Sequence, residues 1–147
     1  MNMNASIRDR IEPVYTIGVA AKKLDVSVHS LRQYEREGLI LSFKTDTGRR
    51  LYSDPEIDKV RCIKRMVQEE GLNFEGIRRL LALVPCWKLR QCSKKSQTSC
   101  IAGKSHLKPC WATREKCHNP LPSCRDCSVY QGITHCSIIK ELLFTAK

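Results

Sequence analysis

The chain has 147 residues, room for one ordinary domain or two small ones, and carries 26 Lys+Arg against 15 Asp+Glu for a formal net charge of +11. No stretch is apolar and long enough to span a bilayer, and the start, MNMNASIRDRIEP, has no apolar signal core. These features argue against a secreted or membrane-embedded chain, and a cytoplasmic one is expected.

The charge is uneven. Up to Val84 the net charge is +3, and from Pro85 onward it is +8. Cysteine divides the same way: Cys62 stands alone in the first part, and the other eight of the nine lie in the second. Four segments are predicted on this basis: an extension over 1–13, a first unit over 14–84, a cysteine-rich unit over 85–137 and a short apolar end over 138–147. In a reducing compartment, clustered cysteines point to metal ligands or redox groups before a disulfide framework. The positive charge suits an anionic partner, though charge alone selects none.

From Tyr15 the sequence reads YTIGVAAKKLDVSVHSLRQYEREGLI, two short helical patterns around the turn LDVS. Thr16 is placed to cap the first helix and Ser27 the second. Ile17, Ala20, Ala21 and Leu24 make an apolar stripe that Val28, Leu31 and Leu39 continue. His29, Ser30, Arg32, Gln33 and Arg36 then face outward with Tyr34 at the margin, residue types able to meet phosphates and base edges. A solvated helix face is the competing reading of that stripe.

FKTDTGRRLYS follows, with strands expected at Phe43 and at Leu51 to Tyr52, and a turn at Asp46, Thr47 and Gly48. Lys44, Arg49 and Arg50 cluster there, a wing suited to backbone phosphates. Ser53 and Glu56 form a capping-box pattern opening a third helix, with Pro55 in its first turn and Gly71 at its end. Cys62 sits on this helix as a core residue. Asn73 caps a fourth helix with Phe74, Ile77, Leu80 and Leu81 inward, and Pro85 stops it.

These stretches, YTIGVAAKKLDVSVHSLRQYEREGL, GRRLYS and GLNFEGIRRLL, together resemble the MerR-type winged-helix transcription regulators from about Val14 to Val84. The resemblance implies a mainly α fold of four short helices plus a two-strand wing. It also implies double-stranded DNA as partner, the second helix in the major groove and the wing on the backbone. Arg32, Gln33 and Tyr34 would lie at the recognition helix and Arg50 with Tyr52 at the wing, within an expected DNA-binding set of Thr16, Val28, His29, Ser30, Arg32, Gln33, Tyr34, Arg36, Lys44, Arg49, Arg50 and Tyr52. Such regulators untwist a promoter for RNA polymerase. Where the family often has tyrosine this chain has Gln33, and Pro85 replaces the long helix that usually pairs two copies. A homodimer would need another surface; the apolar segment CSIIKELLF, with Ile138, Ile139, Leu142 and Leu143, is one candidate.

The second half repeats a phrase, PCWKLRQC at Pro85 and PCWATREKC at Pro109. Cys86, Cys92 and Cys100 match Cys110, Cys117 and Cys124 at offsets of 24, 25 and 24 residues, with Cys127 and Cys136 outside the repeat. Eight cysteines suffice for two four-thiolate sites, most simply two triplets plus two further ligands. Thiolates hold zinc or iron. Nearby cations, Lys88, Arg90, Lys94, Lys95, Lys108, Arg114, Lys116 and Arg125, can offset their charge, and Trp87 with Trp111 can cover a site from water. Only Cys124 to Cys127 has the tight knuckle spacing of zinc modules. The segment also resembles the CW-pair cysteine-rich modules of bacterial regulatory proteins, which names an architecture and not a ligand. An iron-sulfur cluster, structural zinc and switching thiols all remain open, and His106, His118 or His135 could replace a thiolate. A small metal-stabilised tail domain is expected in each case but the last.

The function read from this is a DNA-binding transcription regulator whose tail senses redox state or metal. An architectural or recombination accessory protein with a zinc tail is the alternative, and an iron-sulfur electron carrier a more distant one. No nucleophile-base arrangement or substrate motif supports an enzyme.

Overall fold

The computed structural model describes residues 10–133 and 140–141, except the side chains of residues 114 and 115. Cys136, His135 and the apolar positions Ile138, Ile139, Leu142 and Leu143 lie outside the described residues.

The chain opens with β1 (Tyr15–Thr16), α1 (Ile17–Leu24) and α2 (Val28–Arg36). The expected caps are in place: the Thr16 hydroxyl accepts from Val19 N at 3.4 Å and that of Ser27 from Ser30 N at 3.0 Å. Between the helices Asp25 takes a left-handed φ of 52°, which turns the chain, and Lys64 Nζ donates to the carbonyls of Leu24 and Asp25, both at 3.1 Å. Ala20 and Leu31 are fully buried, so the small alanine lets the two helices cross closely.

The wing consists of β2 (Phe43–Lys44) and β3 (Arg50–Tyr52), paired antiparallel with Lys44 opposite Arg50. Gly48 supplies the positive φ, 81°, that its turn requires. The expected two-strand wing is in fact the edge of a three-stranded sheet in the order β1-β3-β2. Tyr15 and Thr16, for which no strand was expected, pair with Tyr52 and Leu51. This pairing satisfies the backbone groups on the other side of β3.

Next come α3 (Asp54–Gln68) and α4 (Phe74–Ala82). Ser53 N donates to Glu56 Oε2 at 2.8 Å, the return arm of the predicted capping box, and Gly76 N donates to Asn73 Oδ1 at 2.8 Å. Gly71, φ 69°, takes the left-handed turn after α3. Cys62 is buried in the core as its stripe position predicts, and its sulfur is in a disulfide.

Beyond α4 the described chain holds only short elements: α5 (Cys86–Leu89), α6 (Lys94–Ser99), α7 (Ile101–Lys104), 3-10 segments at Cys110–Lys116 and Cys124–Asp126, and α8 (Ser128–Gln131). The compositional break at Pro85 is not a break in packing. Trp111, Val129, Tyr130 and Ile133 belong to the same buried cluster as Leu31, Leu39, Ile57 and Ile77. Among the described residues no helix is long and apolar enough to cross a membrane.

Candidate nucleic-acid interface and thiol cavity

Of the residues expected to face DNA, His29, Arg32 and Arg36 on α2 and Lys44 and Arg49 on the wing are exposed. Thr16, Val28, Ser30, Gln33 and Arg50 are half-buried. Helix and wing are tied together, because Arg50 Nε donates to Glu35 Oε2 at 2.6 Å while Ser42 Oγ donates to Glu35 Oε1 at 2.7 Å. Glu35 beside it holds the Arg50 guanidinium above its usual range, so its charge is permanent and its orientation fixed. Glu35 was not picked out in the sequence; its place one turn from Leu31 and Leu39 gave no sign of a partner on the wing.

Two expected contacts sit elsewhere. Tyr34 is buried and packs edge-on against Phe74 with ring centroids 5.7 Å apart. Tyr52 is 1% exposed, and burial pushes its hydroxyl up to about 12. Both rings stabilise the core under α2 and the wing instead of standing on their surface, because each lies on the inner side of its element.

The C-terminal end of α2 is braced from two directions. Arg78 of α4 pairs with Glu37 and, at 2.6 Å, with Glu75. From the tail, Trp111 Nε1 donates to the Gly38 carbonyl at 2.9 Å. The Leu41 amide donates to the Tyr130 hydroxyl at 2.9 Å, and that hydroxyl donates back to the Leu41 carbonyl at 3.3 Å. Trp111 and Tyr130 meet edge-on at 5.3 Å. Gly38 has φ 73°, and a Cβ there would stand 3.1 Å from Ala112 Cβ, so the tail and the turn after α2 touch backbone to side chain.

A second junction lies at the start of α3. Arg125, expected among the cations that offset thiolates, is instead committed to Glu56: Nε stands 3.2 Å from Oε1, with the two side chains 6% and 0% exposed. Nε and Oε1 make a charge contact without hydrogen-bond alignment, while Arg125 Nη2 donates to Glu56 Oε2 at 3.5 Å. Arg125 Nη2 also donates to the Ile11 carbonyl at 2.9 Å. Lys59, 4% exposed, places Nζ 4.2 Å from the Tyr130 ring centroid, and burial lowers its pKa to about 8. None of this could be read from spacing, since the partners are separated by up to 114 residues.

The tail, together with Ala82 and Leu83 at the end of α4, lines a partly open cavity of about 600 Å³ that includes Cys86, Cys92, Cys100, Cys110, Cys117, Cys124 and Cys127. All seven expected ligands that the structure describes therefore line one cavity, and none of them is in a disulfide. Trp87 and Trp111 line the same cavity, as do His106 and His118. Cys86 and Cys110 are hydrogen-bonded; Cys110 lowers the Cys86 thiol to about 7, and Cys86 together with burial pushes Cys110 up. Burial also raises Cys92. The thiols ring the cavity: among the described residues no three Cys, His, Asp or Glu side chains converge on one point as a ready-made single-ion site would. Seven thiols beside two indoles are chemically soft donors, but their arrangement around the cavity shows no ready-made metal site.

Residues 15–83 match the family described as MerR HTH family regulatory protein. This stretch is a MerR-family helix-turn-helix domain. Similar proteins include the heat shock protein HspR of Streptomyces coelicolor, 39% identical over 48% of this chain and 47% of that protein, and the mercuric resistance operon regulatory protein of Bacillus cereus, 41% identical over 48% and 53%. The transcriptional regulator GlnR of Bacillus cereus is 29% identical over 67% of this chain and 68% of its own length. The chain thus spans only about half the length of two of these relatives. Further relatives of this stretch are named as HTH-type transcriptional regulators.

Proposed function

We propose that this protein is a transcription regulator that places α2 in the major groove of double-stranded DNA, grips the flanking backbone with the wing, and carries in its tail an iron-sulfur or zinc centre whose state adjusts DNA binding. The observation that carries the DNA reading is the set of exposed cations on α2 and the wing of a MerR-family domain, held as one unit by the Arg50–Glu35 pair. His29 and Arg32 are available to base edges and phosphates, and Lys44 and Arg49 to the backbone.

The tail would act through its two junctions. Cys110 precedes Trp111, which holds Gly38, and Cys124 precedes Arg125, which holds Glu56. A change at the thiols therefore reaches the end of the recognition helix and the start of α3 through one covalent step each. Deforming a promoter costs energy that depends on the protein's shape, so small shifts there alter binding. Realignment of a promoter for RNA polymerase and pairing of two copies on a two-fold operator belong to the same reading.

The test is fluorescence anisotropy on duplexes enriched from a random pool, over a range of salt. Arg32→Ala and Arg49→Ala should each weaken binding and flatten the salt slope by about one unit. Unchanged slopes would remove these residues from the interface. The packing of the tail into the common core also favours a second reading, a structural zinc tail on an architectural protein; DNA affinity indifferent to oxidant and chelator would select it.

A further inference from the structure

We propose that the tail cavity is a binding site for a small aromatic acid, and that its occupant touches the side chains that brace the end of the recognition helix. The site goes beyond the metal-dependent reading above, because its ligand is organic and its binding needs no metal.

Size and lining select the ligand. A volume of about 600 Å³ falls among pockets for drug-sized molecules, which run to roughly 300–1,000 Å³ and are mostly apolar with a few polar groups. Small residues keep the space open. Ala82, Ala102 and Gly103 stand in the lining, and a Cβ at Gly103 would already meet the sulfurs of Cys86 and Cys100 at 3.4 and 3.5 Å. Trp87, Trp111 and Tyr130 line the same space, so a flat aromatic body finds rings and sulfur to pack on.

The charged part of the lining has one sign. Arg90 and Lys104 belong to it together with His106 and His118, and no Asp or Glu is among the described lining residues. Arg90 is oriented in advance, since its Nη2 donates to the carbonyl of Asn119, another lining residue, at 3.0 Å. An organic cation would meet like charge there, whereas a carboxylate or sulfonate meets its partners. The net charge of +8 from Pro85 onward attracts the same sign.

Two of the lining rings also hold the chain that leaves α2. Trp111 Nε1 donates to the Gly38 carbonyl at 2.9 Å, and the Tyr130 hydroxyl bonds both backbone polar groups of Leu41. Ala82 and Leu83 end α4, whose Arg78 pairs with Glu37 at the end of α2. An occupant packed on these groups restrains the braces together. Ligand and DNA then change each other's affinity by the same factor. This coupling rests on the proposed DNA binding; the site itself does not.

The experiment uses the whole, reduced protein and anilinonaphthalene sulfonate, an aromatic acid that fluoresces on leaving water. Both tryptophans of the chain line the cavity, so energy transfer from tryptophan to the probe reports binding. Saturable binding is expected with a dissociation constant on the order of 10–100 μM. Naphthoate should displace the probe better than the neutral naphthamide, and naphthylmethylammonium least. Ala102→Leu, which fills the space, should abolish binding, and Lys104→Glu, on an exposed side chain, should weaken it about three- to tenfold. Phe43→Ser, at an exposed ring on the wing, should leave it unchanged. Each variant is checked for native circular dichroism. Absence of saturable binding, or binding that both tail variants leave intact, overturns the site; equal displacement by the three competitors, or preference for the ammonium, overturns the acid. Naphthoate that binds without changing affinity for a duplex the protein recognises overturns the coupling. Protein that binds naphthoate and no duplex overturns the DNA reading and leaves the site standing.

Discussion

Replacing Arg125 by methionine tests whether the tail and the helix-turn-helix domain are one folded body. The side chain is 6% exposed and its partner Glu56 is fully buried, so the substitution leaves a carboxylate in the core without its cation. Breaking a buried pair from one side costs about 3–5 kcal/mol, because the remaining charge keeps its desolvation penalty. Lys59 faces the same carboxylate and supplies some compensation, while the lost bond to the Ile11 carbonyl adds to the damage. A net loss near the lower end, about 3 kcal/mol, is expected. Urea unfolding of reduced, metal-free protein at pH 7, followed by tryptophan fluorescence, should show the midpoint falling by about 1–3 M. Adding Glu56→Gln to Arg125→Met removes the orphaned charge and should recover part of the loss. A loss below about 1 kcal/mol would refute burial of the pair, as would a double variant no more stable than the single one.

Two further substitutions address the same junctions. Lys59 has a folded-state pKa of about 8 against an ordinary 10.5, so folding disfavours its charged form. The penalty is full below pH 8 and fades as pH rises toward 10.5. Relative to Lys59→Met, the wild type should gain about 2–3 kcal/mol between pH 7 and pH 10, and parallel stability curves would show that Lys59 is not buried as charged. Gly38→Ala imposes a left-handed φ on a residue with a Cβ and brings that atom to 3.1 Å from Ala112 Cβ. It should cost about 1–2 kcal/mol in thermal unfolding, and Ala112→Gly should restore only the part due to contact. An unchanged midpoint would place the tail away from α2.

What could be read in the sequence was local. Thr16, Ser27, Ser53 with Glu56, and Asn73 each announce a helix start within three or four residues, and the apolar stripes of α1 to α4 repeat at helical spacing. The wing was legible through Gly48 and its flanking cations. Tyr34, read at the margin of its helix, and Tyr52, placed at the wing by the family resemblance, both entered the DNA-binding set, and only the packing of Phe74 and the pairing of β1 show that they are buried. The cysteines were recognisable as one chemical group. Their arrangement was not, because the repeat orders them along the chain while the fold packs Cys86, Cys110, Cys124 and Cys127, and not the other cavity cysteines, against the core. The side chains that join tail to core are Trp111, Arg125 and Tyr130. Those three side chains carried no local signal of their partners.

The bonds from Tyr130 to Leu41 and from Arg125 to Ile11 close loops of 89 and 114 residues. Contacts so far apart along a chain form late. During synthesis the recognition helix therefore leaves the ribosome well before Trp111 and Tyr130 exist to brace it. A newborn chain carries its reading surface in unfinished form, and the thiols around the cavity emerge in the same interval that completes it. Maturation of the reader and maturation of the tail become a single event in time.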